Sequence, residues 1–225
     1  YQYDTENNTL IEKADMPDSL TGFGVAENNG IIYLIGGSDN GTSNSVYAFN
    51  PLNNSWTPKA SMAVDRTGLV AAQVNGKIYA IGGVNRIGER DLDESTKDSG
   101  YVSVVEEYNP VTDTWIQKTS MPTKRAYSAI TVYQGLIYVI GGQNGDGEAL
   151  DTVEVYDPID DIWTVLAPMN IPRTGCMAEA VNGLISVIGG YNGKILNSVE
   201  KYNVADNMWS NSGFLNNARM NAASV

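Results

Sequence analysis

Histidine is absent from this sequence, and cysteine occurs once, at Cys176. Without an imidazole, the Ser-His-Asp and Cys-His forms of nucleophilic catalysis are excluded in their usual shape. A single cysteine excludes a disulfide framework within the chain. Positive charge is scarce as well: 14 Lys and Arg stand against 26 Asp and Glu, a formal net charge of −12. A nucleic-acid backbone or an anionic membrane needs a basic surface, so neither is an expected partner. No apolar run approaches the ~20 residues of a membrane-spanning helix, and the N-terminal stretch shows no basic-then-apolar targeting pattern.

Helical periodicity is missing too. No segment carries apolar residues at a 3.6-residue spacing, which rejects a helical solenoid. Apolar residues are plentiful nonetheless, at 42% of 225. That is enough for one large all-β domain or two small ones.

What the sequence does have is a repeat. Glycine doublets stand at Gly36-Gly37, Gly82-Gly83, Gly141-Gly142 and Gly189-Gly190, each closing a short apolar run. An aromatic residue follows each doublet, and a tryptophan follows that aromatic by seven: Phe49 and Trp56, Tyr108 and Trp115, Tyr156 and Trp163, Tyr202 and Trp209. Six residues past the tryptophans stand Met62, Met121, Met169 and the variant Leu215. Arg66, Arg125, Arg173 and Arg219 follow four residues later. The N-terminus keeps the phase with changed residues: Tyr3, Leu10 and Met16, with Leu20 in the arginine's place.

Successive doublets lie 46, 59 and 48 residues apart. The long interval places an insertion within residues 84–104. That stretch is charged and poor in apolar residues, so it reads as a surface loop. Each unit reads as four short strands. Asn29-Gly30, Asn75-Gly76 and Asn182-Gly183 suit two-residue hairpins, whose central residues both need positive φ. Asn-Pro or Asp-Pro opens the later turn in three of the four units.

Glycine doublet, spaced aromatic and tryptophan, a period near fifty and four strands per unit together resemble the Kelch repeat, and the resemblance covers nearly the whole chain. It implies an all-β fold, a β-propeller of four-stranded Kelch blades. Residues 1–225 then form one Kelch propeller domain or part of one: four full repeats plus partial repeats at both ends. From its phase the chain is expected to be incomplete or to come from a longer propeller; the resemblance implies six blades, with five or seven as alternatives. A lone four-stranded blade cannot bury both faces, so blades stack, with the tryptophans and tyrosines between them.

The arginines have two readings: bonding to backbone carbonyls or a neighbouring blade, or a ring of donors around the propeller mouth. In Kelch binding modules such arginines, with polar residues after the doublets, line the ligand pocket. By that resemblance the ligand-binding residues are Arg66, Arg125, Arg173, Arg219, Ser38, Asn85, Arg86, Gln143, Asn144, Tyr191 and Asn192. Guanidinium groups would suit a carboxylate-bearing ligand, an acidic peptide or an acidic sugar. Leu20 and the apolar Val84 depart from the pattern.

No other motif carries chemistry. The absent histidines exclude the copper site of galactose oxidase, a propeller enzyme with Kelch repeats. Cys176, on a predicted inner strand, reads as a buried small hydrophobe. The acidic groups at Asp91, Asp93, Glu94 and Asp98, and at Asp160 and Asp161, lack the spacing of a calcium loop and read as solvated charge. Residues 144–148 read as a turn, and the sequons at Asn7, Asn40 and Asn53 matter only on a secretory route. No catalytic residue, metal site or cofactor is expected. The resulting expectation is a non-catalytic recognition module for a protein segment or glycan, without nucleic-acid binding or membrane insertion. The alternative is a metal-independent sugar-acting enzyme resembling the Kelch-type sialic acid mutarotases, built on Arg and carboxylate groups in the funnel. Composition suits an extracellular or cell-surface setting, with a cytoplasmic one as the alternative.

Overall fold

A computed structural model describes residues 1–85 and 100–222. The described residues contain strands and turns and no helix, hence none long and apolar enough to cross a membrane. The first sheet is a hairpin, β1 (Gln2–Asp4) with β2 (Thr9–Ile11). Four complete blades follow. Blade 1 holds β3 (Gly24–Asn28), β4 (Ile31–Ser38), β5 (Thr42–Asn50) and β6 (Ser55–Lys59). Blade 2 holds β7 (Val70–Val74), β8 (Lys77–Ile81), β9 (Val105–Asn109) and β10 (Thr114–Lys118). Blade 3 holds β11 (Ala129–Tyr133), β12 (Leu136–Ile140), β13 (Val153–Asp157) and β14 (Ile162–Val165). Blade 4 holds β15 (Met177–Val181), β16 (Leu184–Ile188), β17 (Ser198–Asn203) and β18 (Met208–Phe214).

Within each blade the strands pair antiparallel in sequence order. The first strands, β3, β7, β11 and β15, pack in succession and form the inner side of the stack. The sheets do not close into a ring. The expected hairpin chemistry holds at the first turn of every blade. Asn29-Gly30, Asn75-Gly76 and Asn182-Gly183 all have positive φ, and blade 3 reaches the same geometry with Gln134-Gly135.

The core lies between blades, in three clusters. Tyr33 and Ile35 of blade 1 pack on Ile78 and Tyr108 of blade 2. Tyr79 and Ile81 of blade 2 pack on Ile137 and Tyr156 of blade 3. Tyr138 and Ile140 of blade 3 pack on Ile185 and Tyr202 of blade 4. The Tyr33–Tyr108 and Tyr79–Tyr156 rings meet edge-on at 5.8 and 5.9 Å, a geometry worth about 0.5–1.5 kcal/mol beyond burial.

The repeated residues account for the stacking one by one. The second doublet glycine donates its N–H to the carbonyl of the next unit's arginine: Gly37 to Arg66, Gly83 to Arg125, Gly142 to Arg173 and Gly190 to Arg219, at 2.8–2.9 Å. That contact leaves no space for a side chain, since a Cβ on Gly36 or Gly82 would sit 2.6 Å from the same carbonyl. At the outer side, each tryptophan indole donates to a carbonyl of the preceding unit: Trp56 to Ala14, Trp115 to Ala60, Trp163 to Thr119 and Trp209 to Ala167. The turn residues Asn54, Asp113, Asp161 and Asn207 accept the N–H of those same four residues. In blades 2 to 4 the turn residue also accepts the tyrosine hydroxyl, as Asp113 does from Tyr108 at 2.6 Å.

Candidate recognition mouth

The residue after each arginine position bridges to the residue after a doublet: Thr21 to Ser38, Thr67 to Val84, Ala126 to Gln143 and Thr174 to Tyr191. These bridges bring the doublet-following segments and the starts of the inner strands to one face. One residue further on, consecutive blades are tied by a chain of backbone hydrogen bonds. Gly68 donates to Gly22, Tyr127 to Gly68, Gly175 to Tyr127 and Asn221 to Gly175, at 2.7–2.9 Å. All five residues sit in the left-handed region, with φ between 52° and 65°. Three are glycines, for which this costs nothing. Tyr127 is the aromatic exception; its ring lies so close over Gly68 that a Cβ there would be 2.7 Å from it. Together these residues rim a small central opening of about 210 Å³ that Phe23, Leu69, Ser128 and Cys176 also line.

Of the expected site residues, three arginines are elsewhere. Arg66, Arg125 and Arg173 are at most 1% exposed and lie inside their blades. Each is ion-paired with a buried glutamate of its own third strand: Glu106 at 2.7 Å, Glu154 at 2.8 Å and Glu200 at 2.7 Å. Their terminal nitrogens also reach backbone carbonyls, as those of Arg66 do to Ala80, Gly82 and Val104, while the buried Nε of Arg66 and of Arg125 has no hydrogen-bond partner among the described residues. Burial pulls Arg125 down to about 10, opposed by the charge of Glu154, so it stays cationic at neutral pH. The reading as donors around the mouth therefore gives way, for these three, to the reading as a bond to the blade's own backbone. The reason is physical: a charge removed from water must be paired where it sits. Arg219 differs, being exposed.

The polar residues divide. Gln143 and Asn144 are committed to their own loop and, through Tyr101, to the preceding blade. Gln143 accepts from the Tyr101 hydroxyl and donates to the Gly147 carbonyl, while Asn144 accepts from the N–H groups of Asp146 and Glu148. Asn85 donates to Asp65 and closes the base of the insertion through Gly100. Arg86 and most of the insertion lie outside the described residues. Ser38, Tyr191 and Asn192 have no side-chain hydrogen bond among the described residues, and Tyr191 is 39% exposed. Val84 is buried.

Tyr127, 38% exposed at the opening, was not among the expected site residues. Its signal is in the sequence: it stands two residues after Arg125, where the other units have Gly22, Gly68 and Gly175. Cys176 is buried, and that burial pushes its thiol up to about 11 against the opposing pull of Arg173, so it stays protonated at neutral pH. Among the described residues no group of three or more His, Cys, Asp or Glu is placed to hold a metal ion.

Comparison with known proteins agrees with this architecture. Residues 1–170 match the family model described as the KLHDC2/KLHL20/DRC7 Kelch-repeats domain, and residues 172–212 match the Kelch motif. No curated protein matches the chain. Among solved structures, that of YjhT superposes with a TM-score of 0.81 at 20% identity, covering 94% of this chain and 76% of that one. At that identity the likeness speaks for the fold alone. With a family model matching three-quarters of its length on top of four phased repeats, the chain belongs to the Kelch-repeat family.

Proposed function

We propose that the chain is a non-catalytic recognition module that takes a polypeptide segment across the mouth. The observation that carries this reading is the pairing of two exposed tyrosines, Tyr127 and Tyr191, with the uncommitted polar groups of Ser38 and Asn192, on backbone held by hydrogen bonds: Tyr127 between neighbouring blades, and Ser38 and Tyr191 to Thr21 and Thr174 of their own blades. Tyrosine offers a large, amphipathic contact at low entropic cost and is enriched at binding hot spots. A rigid frame lowers the ordering cost of association. The rival sugar-acting reading calls for an arginine and a carboxylate converging in the funnel. Three of the arginines are instead bonded to glutamates inside the blades, which favours the binding reading. An acidic segment would meet Arg219 and Lys194 on this side, but also Asp39, Asp146 and Glu148, so the ligand is not restricted to acidic ones.

The test is a selection of peptides from a random display library on the immobilised chain, followed by affinity measurement on variants. Tyr127→Gly restores the residue the other blades use and keeps the positive φ comfortable. Selected peptides are expected to lose at least tenfold in affinity with Tyr127→Gly and with Tyr191→Ala, at unchanged melting temperature. Peptides that bind both variants as tightly as the parent would overturn the reading, as would a glycan array yielding the only tyrosine-dependent ligands.

A further inference from the structure

The sequence contains six Asn-Gly pairs, at residues 29–30, 40–41, 75–76, 144–145, 182–183 and 192–193. Such a pair carries its own chemistry, because glycine lets its backbone N–H come close to the amide of the preceding side chain. Ring closure between them needs that N–H on the same side of the Cα–C bond as the asparagine Cβ. Five of the six pairs are held away from this reaction.

Asn29, Asn40, Asn75 and Asn182 have φ of 50–55°. That is the left-handed region, where a ψ of about +47° turns the next N–H to the side opposite Cβ. Asn29, Asn75 and Asn182 are fixed there by tight turns between paired strands, β3 with β4, β7 with β8 and β15 with β16. Asn144 lies outside that region, but its amide is in use. Its Oδ1 accepts from the N–H groups of Asp146 and Glu148 at 3.0 and 2.9 Å, and its Nδ2 donates to Glu148 at 3.3 Å.

Asn192 is under neither restraint. It lies outside the left-handed region, and its side chain has no hydrogen bond among the described residues. The Gly193 N–H has no acceptor among them either; the backbone bond of this loop runs from the Asn192 N–H to the Lys194 carbonyl at 3.0 Å. Asn192, Gly193 and Lys194 are all exposed. A Cβ on Gly193 would meet nothing within 4 Å, so nothing packs against the bond that must turn.

We propose that Asn192-Gly193 is a self-modifying site at the mouth, which converts to aspartate and isoaspartate in the folded chain ahead of the other five pairs. The Gly193 nitrogen attacks the Asn192 Cγ and forms a new C–N bond. The bond from Cγ to Nδ2 breaks, and ammonia leaves with the proton of the Gly193 N–H. Water then opens the resulting five-membered imide at either carbonyl, giving aspartate or isoaspartate. Beside Tyr191 the mouth thereby exchanges a group that donates and accepts for a carboxylate that only accepts. The inference needs only the geometry of this loop and stands whether or not the mouth takes a polypeptide.

The test ages the whole chain at mildly alkaline pH and reads it by tryptic peptide mapping with mass spectrometry. Cleavage after Arg173 and Lys194 releases residues 174–194, which carry Asn182 and Asn192 on one peptide, so fragment spectra compare the two directly. In the folded chain Asn192 is expected to convert about tenfold faster than Asn182 or more, since the Asn182 turn must open first. In strong urea the two should convert at similar rates, because the turn is gone. Equal rates in the folded chain overturn the proposal, as does earlier conversion at any other pair. An Asn192 that stays intact in the folded chain while it converts in urea overturns it as well.

Discussion

Blade 1 and blades 2 to 4 solve one problem in two ways. In the later blades a buried arginine ties the segment leading into the inner strand to the blade's third strand, through Glu106, Glu154 or Glu200. The carboxylate in turn accepts from that lead-in segment: from the Ala63 N–H, the Thr123 hydroxyl and the Asn170 N–H, at 2.7–2.9 Å. In blade 1 both partners are replaced together. Leu20, 6% exposed, fills the arginine position, and Tyr47 stands where the glutamate would be. The tie survives with its polarity reversed, because the Tyr47 hydroxyl donates to Asp18 at 2.5 Å. The pair therefore behaves as a unit: either both charges are present, or neither is. A lone member would leave a charge without a partner in a region closed to water.

That comparison can be broken at one end only. Glu154→Ala should cost about 3–5 kcal/mol in urea denaturation, since it strands the Arg125 guanidinium without its counterion. Converting blade 3 to the blade 1 arrangement, Arg125→Leu with Glu154→Tyr, should restore at least half of that loss. A double variant no more stable than Glu154→Ala would show that blade 1 works through its own backbone and not through the exchange of a pair.

A smaller effect separates the inner tie from the outer one. Trp163 is half-buried, stacks on Tyr156 at a centroid distance of 5.0 Å, and donates one hydrogen bond to Thr119. Trp163→Ala should therefore cost about 1.5–3 kcal/mol, below the range for a wholly buried aromatic. A loss equal to that of Glu154→Ala would mean that the outer contacts carry as much of the blade as the inner pair.

The repeat made the architecture legible because spacing survives where identity does not. Tyr3, Leu10 and Met16 placed the hairpin of β1 and β2 even though its tryptophan and arginine positions hold leucines. The Asn-Gly pairs located three of the four inner turns, and Gln134-Gly135 shows why the fourth was hidden: the geometry needs positive φ, not asparagine. The arginines show the limit. A phased charged residue looks the same in sequence whether it faces a ligand or a carboxylate forty positions away, as Arg66 faces Glu106. The glutamates two residues before Tyr108, Tyr156 and Tyr202 are phased as well, and pairing the two sets by charge would have found the bond. Tyr127 was missed for the opposite reason. It matters by departing from the glycine pattern, and a search for repetition passes over departures.

The smallest effect concerns the outer latch, where the blades differ by a single atom type. Asp113 and Asp161 hold it in blades 2 and 3, and Asn54 and Asn207 hold it in blades 1 and 4. Burial pushes the Asp161 carboxyl up, but bonds from the Tyr156 hydroxyl and the Thr119 N–H, with the charge of Lys118, outweigh it and hold the group below its ordinary value. Asp113 is likewise lowered, first by the Tyr108 hydroxyl and then by the Ala60 N–H. A carboxylate lowered on folding contributes stability that is present above its unfolded pKa of about 3.9 and lost as pH falls through the folded value. Asn207 accepts the equivalent two bonds through a neutral oxygen, Asn54 beside Phe49 accepts the Ala14 N–H alone, and neither has such a dependence. Asp113→Asn with Asp161→Asn should therefore change stability at pH 7 by no more than about 0.5 kcal/mol per site, the scale of an exposed polar exchange. Below pH 4 the double variant should lose less stability than the parent as acid is added. Urea titrations at pH 7 and pH 3 read the difference directly. Parallel losses in the two proteins would mean that the latch carboxylates are as well solvated folded as unfolded, and that the asparagine and aspartate blades are equivalent at every pH.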